Sequence, residues 1–182
     1  MSNQDGRVLR SVKSQKLIVG AYIKLLRAGT MEPTAQMVAD KSRIGIRTVF
    51  RQFDDMENLL KSVDAELSKD YNFDVKFDPT SSFEDRLAIA INHFNSGYKK
   101  HRLIMFATAS NMWKYKFLEK NYMNYQKIIR TKTEEVLPEV LNFDSELQEL
   151  THATLSFAFW TRLHGQGLKK DQIKSAVVRQ CI

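Results

Sequence analysis

Arg47 and Arg51 stand one helical turn apart, with Thr48 and Gln52 beside them. A guanidinium can pair bidentately with O6 and N7 of guanine, and a glutamine amide can do the same with adenine. Basic residues just upstream, Lys41 and Arg43, can track phosphates. These residue types at this spacing suit a helix face that reads duplex DNA. An ordinary helical hairpin with a solvated basic face carries the same pattern, so spacing alone leaves both readings open.

No other set of side chains points to chemistry. The four histidines, His93, His101, His152 and His164, include no pair at the HExxH spacing of a zinc site. A single cysteine, Cys181, excludes an intrachain disulfide and a Cys-based zinc site within one chain. There is no phosphate-cradling glycine loop, and Gly165-Gln166-Gly167 reads as a break between helices. The paired acids Glu134-Glu135 and Asp54-Asp55 read as solvated faces and helix caps. The expectation is a protein without catalytic residues, metal or cofactor.

The elements that must position Arg47 and Arg51 are helical. The chain has 182 residues, 43% apolar, with only seven Gly and three Pro, which suits one domain or two small ones rich in helix. Its net charge of +7 is uneven: residues 1–62 carry 11 Lys/Arg against 6 Asp/Glu, and the rest carries 17 against 15. The excess at the N-terminal end suits a polyanion partner. The plainly apolar runs, such as Leu103 to Ala107, fall far short of the ~20 residues of a membrane span. No compact apolar export segment is visible at the N-terminus, so the expected location is cytoplasmic.

Residues 1–9 read as a polar tail. Ile18, Ala21, Tyr22 and Leu25 then mark an amphipathic helix over about 10–28, stopped by Gly29. Thr34 can N-cap a helix over about 35–41, Ser42-Arg43-Ile44 forms a tight connection, and a third helix spans about 46–53. Asp54 and Asp55 end it and cap a fourth over about 56–69. A boundary without helical period follows. Ser81-x-x-Glu84 opens a helix to about 99, and a short apolar helix covers about 101–110. A longer one covers about 116–137, ending before Pro138. Ser145-x-x-Gln148 opens a helix to about 164, and the last runs over about 171–181. The reading is an all-α chain in two domains, 1–69 and 70–182.

The stretch Val38-Ala39-Asp40-Lys41-Ser42-Arg43-Ile44-Gly45-Ile46-Arg47-Thr48-Val49-Phe50-Arg51-Gln52-Phe53, followed by Glu57 and Leu59-Leu60, resembles the DNA-binding signature of the tetracycline-repressor-like (TetR) regulators. That pattern reads roughly I-A-x-x-A-G-V-S-x-G-T-L-Y-x-H-F-x-x-K-E-x-L, and the chain fits it without gaps; with the preceding helix, Gly29 and Thr34, which also fall where the family places them, the resemblance covers about 50 residues. Arg43 and Arg47 stand where the pattern has Gly, Gly45 where it has Ser, Phe50 where it has Tyr, and Met56 where it has Lys. Arg47 and Arg51 are expected to supply charge that these changes remove. The resemblance implies a three-helix helix-turn-helix unit, joined by a fourth helix to a helical ligand-binding and dimerisation bundle. It implies operator contact at Thr34, Gly45, Ile46, Arg47, Thr48, Phe50, Arg51 and Gln52.

The second domain is aromatic. Most of those rings suit a bundle core; the resemblance favours a cavity for a flat apolar ligand, lined by Phe94, Tyr98, Trp113, Tyr122, Tyr125 and Trp160. It also implies a homodimer through the last two long helices, with Leu155, Phe159, Ile173 and Val177 at the interface. The expected function is a regulator, a repressor, that binds a palindromic operator and is released by a small hydrophobic or aromatic effector. A helical interaction module without DNA binding is the alternative, and a small helical enzyme using the aromatic cavity is a third reading.

Overall fold

The computed structural model describes residues 2–181, and among them the chain forms helices and no strand. The α-helices are α1 (Ser2–Arg27), α2 (Ala35–Ser42), α3 (Ile46–Phe53), α4 (Met56–Leu67), α5 (Phe83–Asn111), α6 (Lys116–Val136), α7 (Ser145–Thr154), α8 (Phe157–Gly165) and α9 (Lys170–Cys181). Short 3-10 turns cover Ser68–Asp70 and Pro138–Asn142. The chain is all-α, as composition and periodicity require.

Two compact units form. The first takes residues up to Tyr71 together with Arg102–Asn121; the second takes Asn72–His101 and the residues from Tyr122 on. The sequence places its boundary at residue 70, close to the first crossing. It gives no sign that the second half of α5 and the start of α6 belong with the N-terminal helices.

Several helix bounds differ from expectation for physical reasons. The segment read as a tail is the start of α1: it holds no proline, and Arg10 Nε donates to the Gly6 carbonyl at 2.9 Å. The helices expected over about 83–99 and 101–110 are one, because nothing at Lys99-Lys100-His101 breaks a helix. The helix expected over about 145–164 is two. The backbone leaves helical geometry at Ser156 (φ −77, ψ 160), whose N–H and hydroxyl both donate back to the Ala153 carbonyl, at 3.1 and 2.6 Å. Ser156 then caps α8 by accepting from the Phe159 N–H at 3.3 Å. Caps also sit one residue from expectation: Ser82, not Ser81, opens α5 with Asp85, and Asp144, not Ser145, opens α7.

In the first unit α1 packs on α2, α3 and α4. Its core is built on Ile18, Val38, Val49 and Leu59, all within 1% of full burial, and Ile104, Ala107 and Leu118 join the same cluster. Gly29, at φ +95, supplies the left-handed residue that ends α1.

In the second unit Leu87, Ile91, Val136, Leu137 and Val140 are buried. Arg86 is buried too. It donates to the Val136 carbonyl at 2.7 Å and the Ser81 carbonyl at 3.2 Å, and it pairs with Glu139. That pairing pulls the Glu139 carboxyl below its ordinary pKa, chiefly through the Arg86 hydrogen bond. The boundary segment alternates: Phe73, Val75 and Phe77 are half-buried, while Asn72, Asp74, Lys76 and Asp78 are exposed. It lies on the unit's helices through His93, whose Nε2 donates to the Asn72 carbonyl at 3.0 Å, a Phe73–Tyr125 stack and a Lys132–Asp74 pair.

Tyr98 is buried with its hydroxyl donating to the Leu155 carbonyl at 2.7 Å, and burial raises its pKa, so the donor keeps its proton. Tyr98→Phe leaves that carbonyl without its partner and should cost about 1 kcal/mol, read as a lower urea midpoint with unchanged slope. An unchanged midpoint would show that the bond adds nothing net.

Candidate nucleic-acid interface

The helix-turn-helix is built by α2, a tight turn and α3. Thr34 caps α2, its hydroxyl oxygen accepting from the Met37 N–H at 3.3 Å, which leaves the hydroxyl proton free to donate outward. Val38 and Ala39 turn inward. At the end of α2, Arg43 adopts φ 58 and ψ 33. Its N–H donates to the Asp40 carbonyl at 3.3 Å, and the next N–H, of Ile44, to the Ala39 carbonyl at 3.1 Å. These two bonds close the helix end, and they need a left-handed residue. Arginine takes that conformation against its own Cβ.

Gly45 precedes α3 and offers no side-chain cap. Val49 and Phe53 face the core. The outward face carries Ile46, Arg47, Phe50 and Arg51, all exposed, with Phe50 44% open to solvent. No described carboxylate pairs with Arg43, Arg47 or Arg51. Thr48 and Gln52 are half-buried at the flanks. Arg51 Nη2 sits 3.5 Å from Thr48 Oγ1, a contact at the limit of a hydrogen bond. Gln52 is held to α1: its Oε1 accepts from the Ser11 hydroxyl at 2.8 Å.

The face can therefore do two things chemically. Two guanidinium groups can donate to base edges or phosphates. Ile46 and Phe50, one turn apart, can touch thymine methyl groups. The operator contacts expected at Ile46 and Phe50 require both to be exposed, and both are. The Ser11–Gln52 bond was not legible, since it links positions 41 residues apart. Asp54 closes α3 at φ 61 and ψ −52, and Asp55 opens α4 by accepting from the Asn58 N–H at 2.7 Å. Met56 packs against the core.

The expected ligand residues are dispersed. Trp113 lies in the first unit and is 83% exposed, so it does not join the others. Phe94, Tyr98 and Trp160 are buried in the second unit, and Tyr122 and Tyr125 are half-buried there. Tyr98 and Trp160 pack ring to ring with Phe157, their centroids 5.6 to 6.1 Å apart, and Trp160 stacks on His164 at 5.0 Å. The first unit holds an open groove of about 1130 Å³ between α1 and α4, with Val19, Gly20, Ile23 and Leu67 in it and Lys16, Lys24, Arg27 and Lys61 along it. Nothing in the local spacing of residues points to this groove.

Of the expected dimer residues, Leu155, Ile173 and Val177 are buried within the chain, and Phe159 is half-buried. The large apolar side chains left outward in this unit include Leu141, Leu147 and Leu150. Among the described residues no three His, Cys, Asp or Glu side chains gather where they could hold a metal ion. No described helix is long and apolar enough to cross a membrane. Compared with protein-family models, curated proteins and solved structures, the chain finds no match.

The left-handed turn at Arg43 generates a stability prediction. Arg43→Gly should stabilise by about 0.5–1 kcal/mol, because relief of the Cβ clash exceeds glycine's extra entropy in the unfolded chain. Arg43→Val should do the reverse. Thermal or urea unfolding reads both, and a destabilised glycine variant would mean that the arginine side chain stabilises the turn.

Proposed function

We propose that this chain is a DNA-binding transcriptional regulator of the TetR-like kind, a repressor that binds a palindromic operator as a homodimer. The observation that carries this reading is the outward face of α3. Arg47 and Arg51 stand there with no carboxylate partner among the described residues, on a short helix set at a tight turn after another short helix. The resemblance over residues 38–60 and the basic excess of the N-terminal third support it. A two-fold dimer would present two such faces to two half-sites.

Within the face the roles divide. Arg47 lies in the first turn of α3, where side chains reach base edges, and Arg51 is assigned to phosphate. Ile46 and Phe50 add apolar contact beside them. A small hydrophobic effector held among Phe94, Tyr98, Tyr122, Tyr125 and Trp160 would release the operator, to the extent that it prefers one state of the dimer over another. Operator affinity that stays constant across a broad panel of hydrophobic compounds would remove the effector from this proposal.

A helical protein-interaction module is the second reading, and the exposure of Ile46, Phe50 and Met37 is what favours it. Salt separates the two. Each phosphate neutralised adds about 0.9 to the slope of log affinity against log salt, so DNA binding should weaken steeply, whereas apolar docking should not. Fragments selected from random duplex DNA supply the ligand. Arg47→Ala should cost about 1–3 kcal/mol and relax preference at one position per half-site, while Arg51→Ala should weaken all sequences alike. Flat salt dependence would favour the interaction module, and a uniform loss in Arg47→Ala would refute the assignment of that residue.

The dimer has its own test. We assign the surplus apolar surface of Leu147 and Leu150 to the partner copy. The wild type should show twice the 21.1 kDa mass of one chain at micromolar concentration, and Leu147→Glu with Leu150→Glu should return it to one chain. A wild type that is already monomeric would sink the homodimer.

A further inference from the structure

The first helix outruns the domain it belongs to. Ser11 is the residue that bonds to α3, yet α1 begins at Ser2, so roughly 13 Å of helix extends beyond that contact. The Ser11–Gln52 bond fixes which side of α1 faces α3. Arg7, one turn earlier, falls on that same side, with Arg10 beside it. Both are exposed, and no described carboxylate pairs with either. Arg10 uses its Nε on the Gly6 carbonyl, which leaves the two terminal nitrogens of its guanidinium pointing outward to donate.

We propose that Arg7 and Arg10 form a phosphate clamp beside the reading helix. The inference rests on the reading that α3 enters the major groove. That groove is about 12 Å wide, and a helix with its side chains is about 10–12 Å across. A helix filling the groove is bordered on each side by a phosphate strand. An arm bonded to the side of α3 therefore meets the bordering phosphates and not the base edges. Its contribution is sequence-independent affinity and a fixed angle of α3 in the groove.

A basic helix with exposed Val8, Leu9, Val12 and Leu17 could also lie on an anionic membrane. The placement of the side chains disfavours that. Val8 and Val12 share one side, but Leu9 and Leu17 fall among Lys13 and Lys16, so no continuous apolar face forms to enter a lipid layer.

The test compares wild type with Arg7→Ala/Arg10→Ala and Arg7→Lys/Arg10→Lys on mixed-sequence duplex DNA and on the selected fragment, over a range of salt. The alanine pair should weaken binding about tenfold at moderate salt, on both DNAs alike, and lower the salt slope by about 0.9 per lost phosphate. The lysine pair should keep the slope, since its charge remains. The base preference recovered by selection should not change. An alanine pair that binds as wild type does at every salt, while Arg51→Ala weakens binding, overturns the clamp and leaves the proposed function standing. A wild type that binds no duplex overturns both. Loss confined to binding of phosphatidylserine vesicles, with duplex binding intact, overturns the clamp in favour of a membrane arm.

Discussion

The first unit depends on burying four branched side chains, one from each of its N-terminal helices. Ile18 of α1, Val38 of α2, Val49 of α3 and Leu59 of α4 are closed to solvent almost completely. Burial of each is worth about 1.5–3 kcal/mol, and no single helix of eight residues could hold its shape without them. Because Val49 and Phe53 must face inward, the side chains on the opposite side of α3 are forced out. Ile46, Arg47, Phe50 and Arg51 thus share one exposed face as a by-product of core packing. The left-handed turn at Arg43 and the strained turn at Asp54 are held in place by the same burial, which repays their local cost.

A different constraint rules the second unit. Here a charged side chain lies inside: Arg86 reaches the last carbonyl of α6 and the carbonyl of Ser81, with Glu139 neutralising it. A helix end leaves its final carbonyls without partners, so a guanidinium fork answers two needs at once. The same unit resolves its aromatic excess by contact among Tyr98, Phe157 and Trp160, with the one hydroxyl in that group satisfied by a backbone carbonyl. Arg86 and Tyr98 can be buried because their donors meet backbone carbonyls.

The α3 face mixes guanidinium and apolar groups in a way that charge alone does not describe. Ile46 and Phe50 form an exposed apolar strip alongside the strip of Arg47 and Arg51. A partner that offers both anionic and methyl groups suits both kinds of side chain. Gln52, in contrast, is drawn sideways to α1 by Ser11, which adds a structural duty to a residue whose type suggests base reading.

The amino-acid sequence by itself determined the helical class, the bounds of α2, α3 and α4 to within two residues, the cap at Thr34 and the inward set Val38, Ala39, Val49 and Phe53. All of these follow from local periodicity and from hydrogen bonds between residues three or four apart. It was silent where distant residues decide. Whether Leu155, Ile173 and Val177 face a partner or their own core depends on which helices pack together. The boundary after α4 was legible as a loss of helical period, but the alternate burial of residues 71–78 and their place against His93, Tyr125 and Lys132 were not. Tertiary structure alone brought Ser11 to Gln52, Arg102–Asn121 to the first unit and Arg86 to the end of α6, because these contacts join residues far apart in the chain and leave no trace in local spacing.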